Sequence, residues 1–427
     1  MKCKFLHVSD VHLGFQQYNL RERFDDFGRA FEYIVDQAVA QRVDFIVLGG
    51  DLFQKRAIDP PTLLQAVTFL SRLREANIPV LAVEGNHERA YYRDVFSWMD
   101  FLADQRYLSM LTPDFEDGQP VLRPWDGLSG AYRDLSLGGP GDGAGQVRIY
   151  GVKYYGASTE HVVEGLVQQL EQMDHSQIDY VVMVMHLGLE GVLDGYSATV
   201  PHYLIAPLKD YVNYLALGHI HKPYEREGWI YNPGSPETCG MDEVAWPRRG
   251  YYLVEVDTAH TPKHRARLVA NPRRPFVRLP LPVDGCTSPE DLYALAEQEL
   301  AAAAAGLDSQ RPVVELVLEG VLPFAGRDLD TGRLEELGRT ILNALSVRIA
   351  NRAVPTEYEI DADVSKPFNE LEREVLQELV ERDARFRPMA AEWADLIQNL
   401  KRMAREGSSP ASIVEYLQLR AAQIQEP

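Results

Sequence analysis

Five short polar motifs, each following a predicted apolar strand, constrain this sequence more than any other feature. Strands are predicted over 4–8, 44–48 and 79–83, with amphipathic helices over 22–42 and from Pro60 onwards. This alternation indicates an α/β core. The carboxyl ends of strands in such a core meet at one edge, where sites are built. The motifs bring these candidate site residues to that edge: Asp10, His12, Asp51, Asn86, His87, His186, His219 and His221.

The side chains in these motifs share a chemistry that suits divalent cations. Carboxylate, imidazole and amide oxygen are ligands for ions such as Mn²⁺, Fe²⁺ or Zn²⁺. A carboxylate between two such ions can bridge them about 3.5–4 Å apart, and the pair then clamps a phosphate. A lone strand-end Asp is often only a helix cap, so the metal hypothesis depends on the ordered set. The other histidines lack this context and are expected to be structural: His7, His161, His175, His202, His260 and His264.

The charge of the chain argues against nonspecific binding to nucleic acid. Lys plus Arg number 43 and Asp plus Glu 63, a net charge of −20, whereas nucleic-acid-binding domains are usually basic. Any such contact must use local basic patches and bound cations. Cys3, Cys239 and Cys286 are scattered and indicate neither a zinc knuckle nor a disulfide framework. Neither a signal peptide nor an apolar run of about 20 residues is evident, so we expect a cytoplasmic protein without membrane contact.

The sequence pattern predicts one large domain followed by smaller parts. We expect a catalytic domain over 1–257, a basic, proline-rich linker over 258–283, a small α/β domain over 284–365 and a helical tail over 366–427. The tail carries two apolar stripes with a break at Pro388. Its helices could pack on each other as a small bundle or dock on the coiled coil of a partner, and the pattern leaves both open.

Taken together, the motifs resemble those of calcineurin-like metallophosphoesterases, and more narrowly those of SbcD-type DNA-repair nucleases. The resemblance rests on SDVHLG, GGDLF, VEGNHE, VMHLG, LGHIHKP and NPGSPE, and it is strong over 1–257. It implies a sandwich of two sheets flanked by helices, with the small α/β domain as a cap. It also implies exonuclease and endonuclease action on DNA in repair and recombination, near the nucleoid, with an SbcC-type coiled-coil ATPase as partner. The resemblance also implies a homodimer, although the sequence contains no heptad pattern that would indicate one.

By position, the resemblance implies two metal sites that share one carboxylate. The first would be held by Asp10, His12, Asp51 and His221, and the second by Asp51, Asn86, His186 and His219. The implied cofactor is two Mn²⁺ ions, with Fe²⁺, Zn²⁺ and Mg²⁺ as alternatives. His87 would not bind metal; it would sit over the scissile phosphate and support the leaving oxygen, as a general acid or by electrostatic contact.

One position departs from the pattern of many relatives, which carry a second His just after the DLF motif where this chain has Gln54. Because Gln cannot transfer a proton at neutral pH, we expect the rate or polarity of cleavage to differ while metal-driven hydrolysis survives. The other candidate substrate contacts are basic or aromatic residues close to the motifs: Lys222, Arg248, Arg249, Tyr91, Tyr92 and Arg93. Lys222 could instead lie at the rim of the site, and Tyr91, Tyr92 and Arg93 could instead belong to the core or to a helix start.

Two other functions stay open on the same motifs. A small-molecule phosphatase or cyclic-nucleotide phosphodiesterase would use the same two-metal core, needs no helical tail and fits the acidic net charge more easily. A weakly catalytic scaffold that binds DNA ends is favoured only by Gln54, and the full set of candidate ligands together with His87 argues against it.

Overall fold

The computed structural model describes residues 1–89, 96–138, 143–193, 199–307, 311–322, 324, 326–355, 366–381 and 385–425. The chain forms two compact units, Met1–Phe276 and Val277–Pro427. Among the helices of the described residues, none combines the length and apolar character needed to cross a lipid bilayer.

The first unit is built around two six-stranded sheets. Across the first sheet the strands lie in the order His264–Ala270, Gly250–Asp257, Lys2–Val8, Phe45–Leu48, Val80–Ala82 and Ser109–Met110. Across the second sheet the order is Tyr224–Arg226, Ile230–Asn232, Tyr214–Gly218, Tyr180–His186, Gly145–Val152 and Tyr132–Leu137. The last four strands of the first sheet run parallel to one another, as do the middle four of the second. Parallel strands bring their carboxyl ends to one edge of each sheet.

The two sheets pack face to face through a mainly apolar and aromatic layer. The Phe5 ring stacks on Phe45 with centroids 4.7 Å apart and meets Tyr214 of the second sheet edge-on at 5.2 Å. Val47 and Val184 are buried in the same layer. Such offset and edge-on aromatic contacts add to the free energy gained from burial. The predicted two-sheet sandwich is therefore confirmed.

Helices cover the outer faces of both sheets. On the first sheet these are Arg21–Ala40, Pro60–Glu75 and Trp98–Asp104, and on the second Thr159–Gln172 and His202–Ile205. The helix Pro60–Glu75 begins as its sequence predicts, because the Asp59 side chain accepts a hydrogen bond from Thr62 N at 2.9 Å and prolines occupy the first turn.

Short elements complete the first unit. Two small two-stranded pairs join Asp114–Glu116 to Gln119–Val121 and Gly188–Leu189 to Thr199–Val200. Turns of 3-10 helix lie at Gln17–Asn19, Gly156–Ser158, Ala206–Asp210 and Met241–Ala245.

The second unit contains a small sheet with two helices, followed by three further helices. Its sheet has the order Phe276–Pro282, Val313–Glu319, Ser346–Asn351, and its helices are Pro289–Ala304 and Thr331–Leu342. A second pair joins Val321–Leu322 to Val354–Pro355, and a 3-10 turn spans Gly326–Asp328. The C-terminal helices are Phe368–Glu381, Ala390–Arg405 and Pro410–Gln425, with a 3-10 turn at Arg387–Met389. The predicted helical C-terminal region is confirmed.

The basic segment 258–283 is not the linker that its composition suggests. His264–Ala270 forms the edge strand of the first sheet, with Leu268 opposite Tyr252 in the register. Along this strand the exposed Arg265 and Arg267 alternate with less exposed residues. The period-two pattern of an edge strand explains Arg265 and Arg267, which lie on its solvent face.

Candidate metal centre

The candidate ligands lie where parallel strands of both sheets end. In the first sheet, Asp10 and His12 follow Lys2–Val8, Asp51 follows Phe45–Leu48, and Asn86 follows Val80–Ala82. In the second sheet, His186 ends Tyr180–His186, and His219 and His221 follow Tyr214–Gly218. Because the two sheets pack face to face, these loops from distant parts of the chain converge on one site.

The backbone is strained at four of these positions. Asp10, His12, Asp51 and His219 have φ angles of 54°, 55°, 52° and 86°, a region that non-glycine residues rarely adopt. Each such residue costs of order 1–3 kcal/mol and persists only where its surroundings impose it. Here Asp10 N donates to Gly50 O at 3.1 Å and His12 N to Asp51 O at 3.0 Å, so the loops hold one another in place.

Two glycines allow these loops to approach closely. A Cβ at Gly85 would lie 2.1 Å from Asp51 Oδ1. At Gly50, where φ is +93°, a Cβ would lie 2.4 Å from His186 Nδ1. Any larger residue at either position would displace a candidate ligand.

The first candidate site contains two imidazoles that face each other. Nε2 of His12 lies 3.0 Å from Nε2 of His221. His221 Nδ1 lies 2.7 Å from Glu243 Oε1, and donation to this carboxylate leaves the His221 Nε2 lone pair directed at the site. His12 is buried, and its Nδ1 has no hydrogen-bond partner among the described residues.

The second candidate site centres on Asn86. Its Oδ1 lies 2.9 Å from His186 Nε2 and 2.9 Å from His219 Nδ1. His186 Nδ1 donates to the Gly49 carbonyl at 2.6 Å, and Nε2 lies 3.4 Å from Asp51 Oδ2. Nε2 is therefore the atom that would give its lone pair to a metal ion once it has lost its proton. One ligand atom from each of Asp10, Asp51 and His186 lies within 4.8 Å of the other two.

Asp10 ties the two sites together. Both of its carboxylate oxygens lie 3.1 Å from His219 N. All seven predicted ligands are therefore linked through direct contacts around Asp51. A set of carboxylate, imidazole and amide oxygen donors, with imidazole lone pairs directed inward, fits divalent cations.

The electrostatics of the site also favour bound positive charge. Burial alone would raise the pKa of Asp51, but the charge and hydrogen bond of His186 hold it well below its usual range. Burial alone would lower the pKa of His186, and the charge of Asp51 raises it instead to about 9. For His12, burial and then the neighbouring His221 lower the pKa. A proton on His186 offsets the Asp51 charge here as a metal cation would.

His87 lies at the margin of the ligand set and is half-buried. Its backbone N donates to Asp51 Oδ1 at 3.0 Å, and its Nδ1 donates to the Gln54 carbonyl at 2.8 Å. These contacts fix the ring and leave Nε2 for a further interaction. The centroid of the His87 ring lies 4.9 Å from that of His12. One ligand atom from each of His12, Asp51 and His87 lies within 4.8 Å of the other two.

Residues 3–223 match calcineurin-like phosphoesterases. This chain belongs to that family. Enzymes of this family hydrolyse phosphate esters with divalent metal ions, so the chain is a metallophosphoesterase.

The phosphoesterase is similar to proteins named for DNA repair. The DNA double-strand break repair protein Mre11 of Archaeoglobus fulgidus is 33% identical over 249 residues, which is 57% of this chain and 52% of that protein. Its counterpart from Aeropyrum pernix is 30% identical over 283 residues, 60% of this chain and 63% of that protein. The chain thus spans less than two thirds of these relatives. The solved structure of phosphoesterase YfkN from Bacillus subtilis is 12% identical with a TM-score of 0.43, over 70% of this chain and 96% of that one, a likeness too distant to carry an argument.

The Gln54 position of this phosphoesterase acts through its backbone. The carbonyl of Gln54, not its side chain, accepts the hydrogen bond from His87 Nδ1. Since any residue type offers a backbone carbonyl, this contact does not depend on the side chain that departs from the family pattern.

Two buried carboxylates support the site and were missed in the sequence. Glu88 accepts hydrogen bonds from the backbone N of Asp51, Phe53 and Gly85 at 3.2, 2.9 and 3.0 Å. Burial and then the charge of Asp51 raise the Glu88 pKa to about 8. The sequence signal for Glu88 was its place in the GNHE motif. Glu243, the second supporting carboxylate, lies outside every motif and had no such signal.

The basic residues named as substrate contacts lie in different environments. Arg249 is buried, forms an ion pair with Glu243 Oε2 at 2.8 Å and donates to the Ser235 and Glu237 carbonyls. It therefore supports the loop that holds His221 and cannot reach a substrate, contrary to our expectation. Arg248 is exposed, and Lys222 is half-buried with Nζ 3.1 Å from Val192 O. Tyr91, Tyr92 and Arg93 lie outside the described residues.

Proposed function

We propose that this metallophosphoesterase is a nuclease that hydrolyses phosphodiester bonds at DNA ends during repair. The observation that carries the proposal is the convergence of seven oxygen and nitrogen donors around Asp51, in a chain similar to DNA double-strand break repair proteins. Both exonuclease and endonuclease action are included in the proposal.

Two divalent ions, most simply Mn²⁺, are the proposed cofactor. Asp10, His12, Asp51 and His221 would hold the first, and Asp51, Asn86, His186 and His219 the second. Bound there, such ions neutralise charge on phosphate oxygens and lower the pKa of a water molecule. Fe²⁺, Zn²⁺ and Mg²⁺ suit the same donor types.

His87 is the proposed catalytic side chain. Its ring is fixed by the Gln54 carbonyl and its backbone by Asp51, which supports a role that requires a defined orientation. From Nε2 it would donate a hydrogen bond or a proton to the oxygen that leaves the phosphate.

Substrate binding in this proposal depends on few cations. The net charge of −20 opposes a long DNA contact, since phosphates are held mainly by Lys and Arg. The exposed Arg248 and the rim residue Lys222 are the proposed phosphate contacts. Bound metal ions would supply the remaining positive charge that holds the phosphates.

An SbcC-type coiled-coil ATPase is the proposed partner, with the tail 366–427 as its docking element. The first two tail helices contact each other, since Arg373 pairs with Asp395 at 2.6 Å. Apolar side chains nevertheless stay exposed on this tail, among them Phe368 at 64% and Leu419 at 58%. Exposed apolar residues on amphipathic helices favour a helical partner. A homodimer and a location in the cytoplasm near the nucleoid belong to the same proposal.

The acidic net charge favours a second candidate function. A small-molecule phosphatase or cyclic-nucleotide phosphodiesterase would use the same donors and needs no basic surface. The two candidates differ in substrate and not in metal chemistry, so only substrate assays separate them.

The test compares substrates with one preparation of the full chain and Mn²⁺. Linear duplex DNA, with and without the ATPase partner, is set against p-nitrophenyl phosphate and cyclic nucleotides. We expect Mn²⁺-dependent cleavage of DNA, with polarity read from the products on a sequencing gel. Hydrolysis of the small substrates with DNA left intact under both conditions would replace the nuclease by the phosphatase.

A further inference from the structure

Cys239 lies beside the two imidazoles of the first candidate metal site. One ligand atom from each of His12, His221 and Cys239 lies within 4.8 Å of the other two. In the sequence, the scattered cysteines indicate no zinc knuckle, and the ligand set implied by the family contains no sulfur. The cluster therefore adds a donor of a different chemical type.

The position of Cys239 is fixed by the same residues that hold the site. Its backbone N donates to Glu243 Oε2 at 2.7 Å, and its carbonyl accepts from Gln17 Nε2 at 2.8 Å. The other oxygen of Glu243 binds His221. The Cys239 thiol and the His221 imidazole thus share one anchoring carboxylate, so the thiol is preorganised relative to the imidazole.

An independent observation points to a cation site next to this thiol. The Nε2 atoms of His12 and His221 face each other at 3.0 Å. Between them, the two rings can form only one hydrogen bond through this contact. Both rings can instead direct a lone pair at one metal ion. His12 is 1% exposed and its Nδ1 has no partner among the described residues, so a neighbouring acceptor does not explain its burial.

The ligand atoms of His12, His221 and Cys239 lie within 4.8 Å of one another, which is close to the spacing of donors on one ion. Zinc–sulfur bonds are about 2.3 Å and zinc–nitrogen bonds about 2.0–2.1 Å, so sulfur and nitrogen donors on one ion lie roughly 3–4.4 Å apart. The contacts of the thiol include Ser235 Oγ at 3.3 Å, Glu237 O at 3.7 Å and a hydrogen bond with the His221 side chain.

We propose that Cys239 supplies a thiolate to the metal ion at Asp10, His12, Asp51 and His221, and that this donor shifts the first site toward ions with affinity for sulfur. The inference rests on the metal centre of the proposed function. On binding, the sulfur–hydrogen bond breaks, the proton passes to solvent and a sulfur–metal bond forms, with no change of oxidation state. Thiolate favours Zn²⁺ and Co²⁺ over Mn²⁺, whereas the second site keeps only oxygen and nitrogen donors.

Cobalt titration of the metal-stripped full chain tests this directly, because thiolate bound to Co²⁺ gives a charge-transfer band in the near ultraviolet. We expect this band in the unchanged protein without any variant. In Cys239→Ser the band should disappear, Zn²⁺ affinity should fall about 10-fold or more, and Mn²⁺ affinity should change far less. Cys286→Ser, which alters a thiol in the second unit, is the matched control and should keep the band.

Each outcome decides a separate point. Co²⁺ uptake without a sulfur band in the unchanged protein, or a band that persists in both Cys239→Ser and Cys239→Ala, overturns the role of Cys239 and leaves the metal centre intact. A complete absence of Co²⁺, Zn²⁺ and Mn²⁺ uptake overturns the metal centre itself.

Discussion

Glu243 Oε1 accepts a hydrogen bond from His221 Nδ1 at 2.7 Å, while Oε2 of the same carboxylate binds Arg249 and the backbone of Cys239. The carboxylate thereby fixes both the tautomer and the orientation of a predicted metal ligand. Carboxylates that act on a metal through a histidine in this way raise its basicity and stabilise the bound ion.

Replacement of Glu243 therefore tests whether His221 is positioned for a metal. Glu243→Gln removes the charge but keeps the size, so we expect metal affinity to fall about 10–100-fold, measured by isothermal titration calorimetry with Mn²⁺. Asp242→Asn, at the exposed neighbouring position, is the matched control and should bind normally. Equal affinities for the two variants would mean that Glu243 has only a structural role.

His87→Asn separates catalysis from metal binding. Because His87 is not one of the seven proposed ligands, we expect this variant to keep its metal stoichiometry while kcat falls about 10²–10⁴-fold. Calorimetry and a DNA cleavage assay on the same preparation measure the two quantities. Loss of one metal ion in this variant would instead make His87 a ligand, as its closeness to His12 and Asp51 allows.

Gln54→Ala is expected to leave activity nearly unchanged. The contact with His87 comes from the backbone carbonyl, and substitutions away from such features usually change free energies by less than about 0.5 kcal/mol. A cleavage time course with Mn²⁺ measures the effect. A large loss of rate, with metal binding intact, would show that the Gln54 side chain meets the substrate.

Arg23 tests the stability of the scaffold below the site. Its side chain is 0% exposed and pairs with Asp26 at 2.6 Å and Glu237 at 3.1 Å. Asp26 also pairs with Arg274 at 2.6 Å, so Arg23→Ala leaves chiefly the buried Glu237 uncompensated. We expect a loss of about 3–5 kcal/mol in the free energy of unfolding, which urea denaturation of the full chain measures. Arg21→Ala, at a position 59% exposed, should cost less than about 1 kcal/mol. Similar losses for both variants would contradict the buried network.

The candidate ligands could be predicted because strand ends in an α/β fold follow a simple rule. Asp10, Asp51 and His186 each end or follow an apolar strand, and parallel strands bring such residues to one edge. The supporting contacts follow no such rule. Glu243 lies in the 3-10 turn Met241–Ala245 and reaches His221 across 22 residues of sequence. Gln54 acts through a backbone carbonyl, which every residue type has.

The other errors have equally physical causes. Arg249 looked like a phosphate contact because it is basic and lies near the NPGSPE motif, yet its side chain is buried against Glu243. Sequence proximity to a loop does not say whether an arginine lies outside that loop or beneath it. The segment 258–283 looked like a linker because its prolines and charges outweighed the period-two pattern of the strand His264–Ala270.

Anomalous diffraction from crystals of the full chain grown with Mn²⁺ tests the metal centre most directly. We expect two manganese peaks per chain about 3.5–4 Å apart, with the Asp51 carboxylate between them. Crystals with a single peak remote from Asp51, or with no peak at millimolar Mn²⁺, would contradict the account.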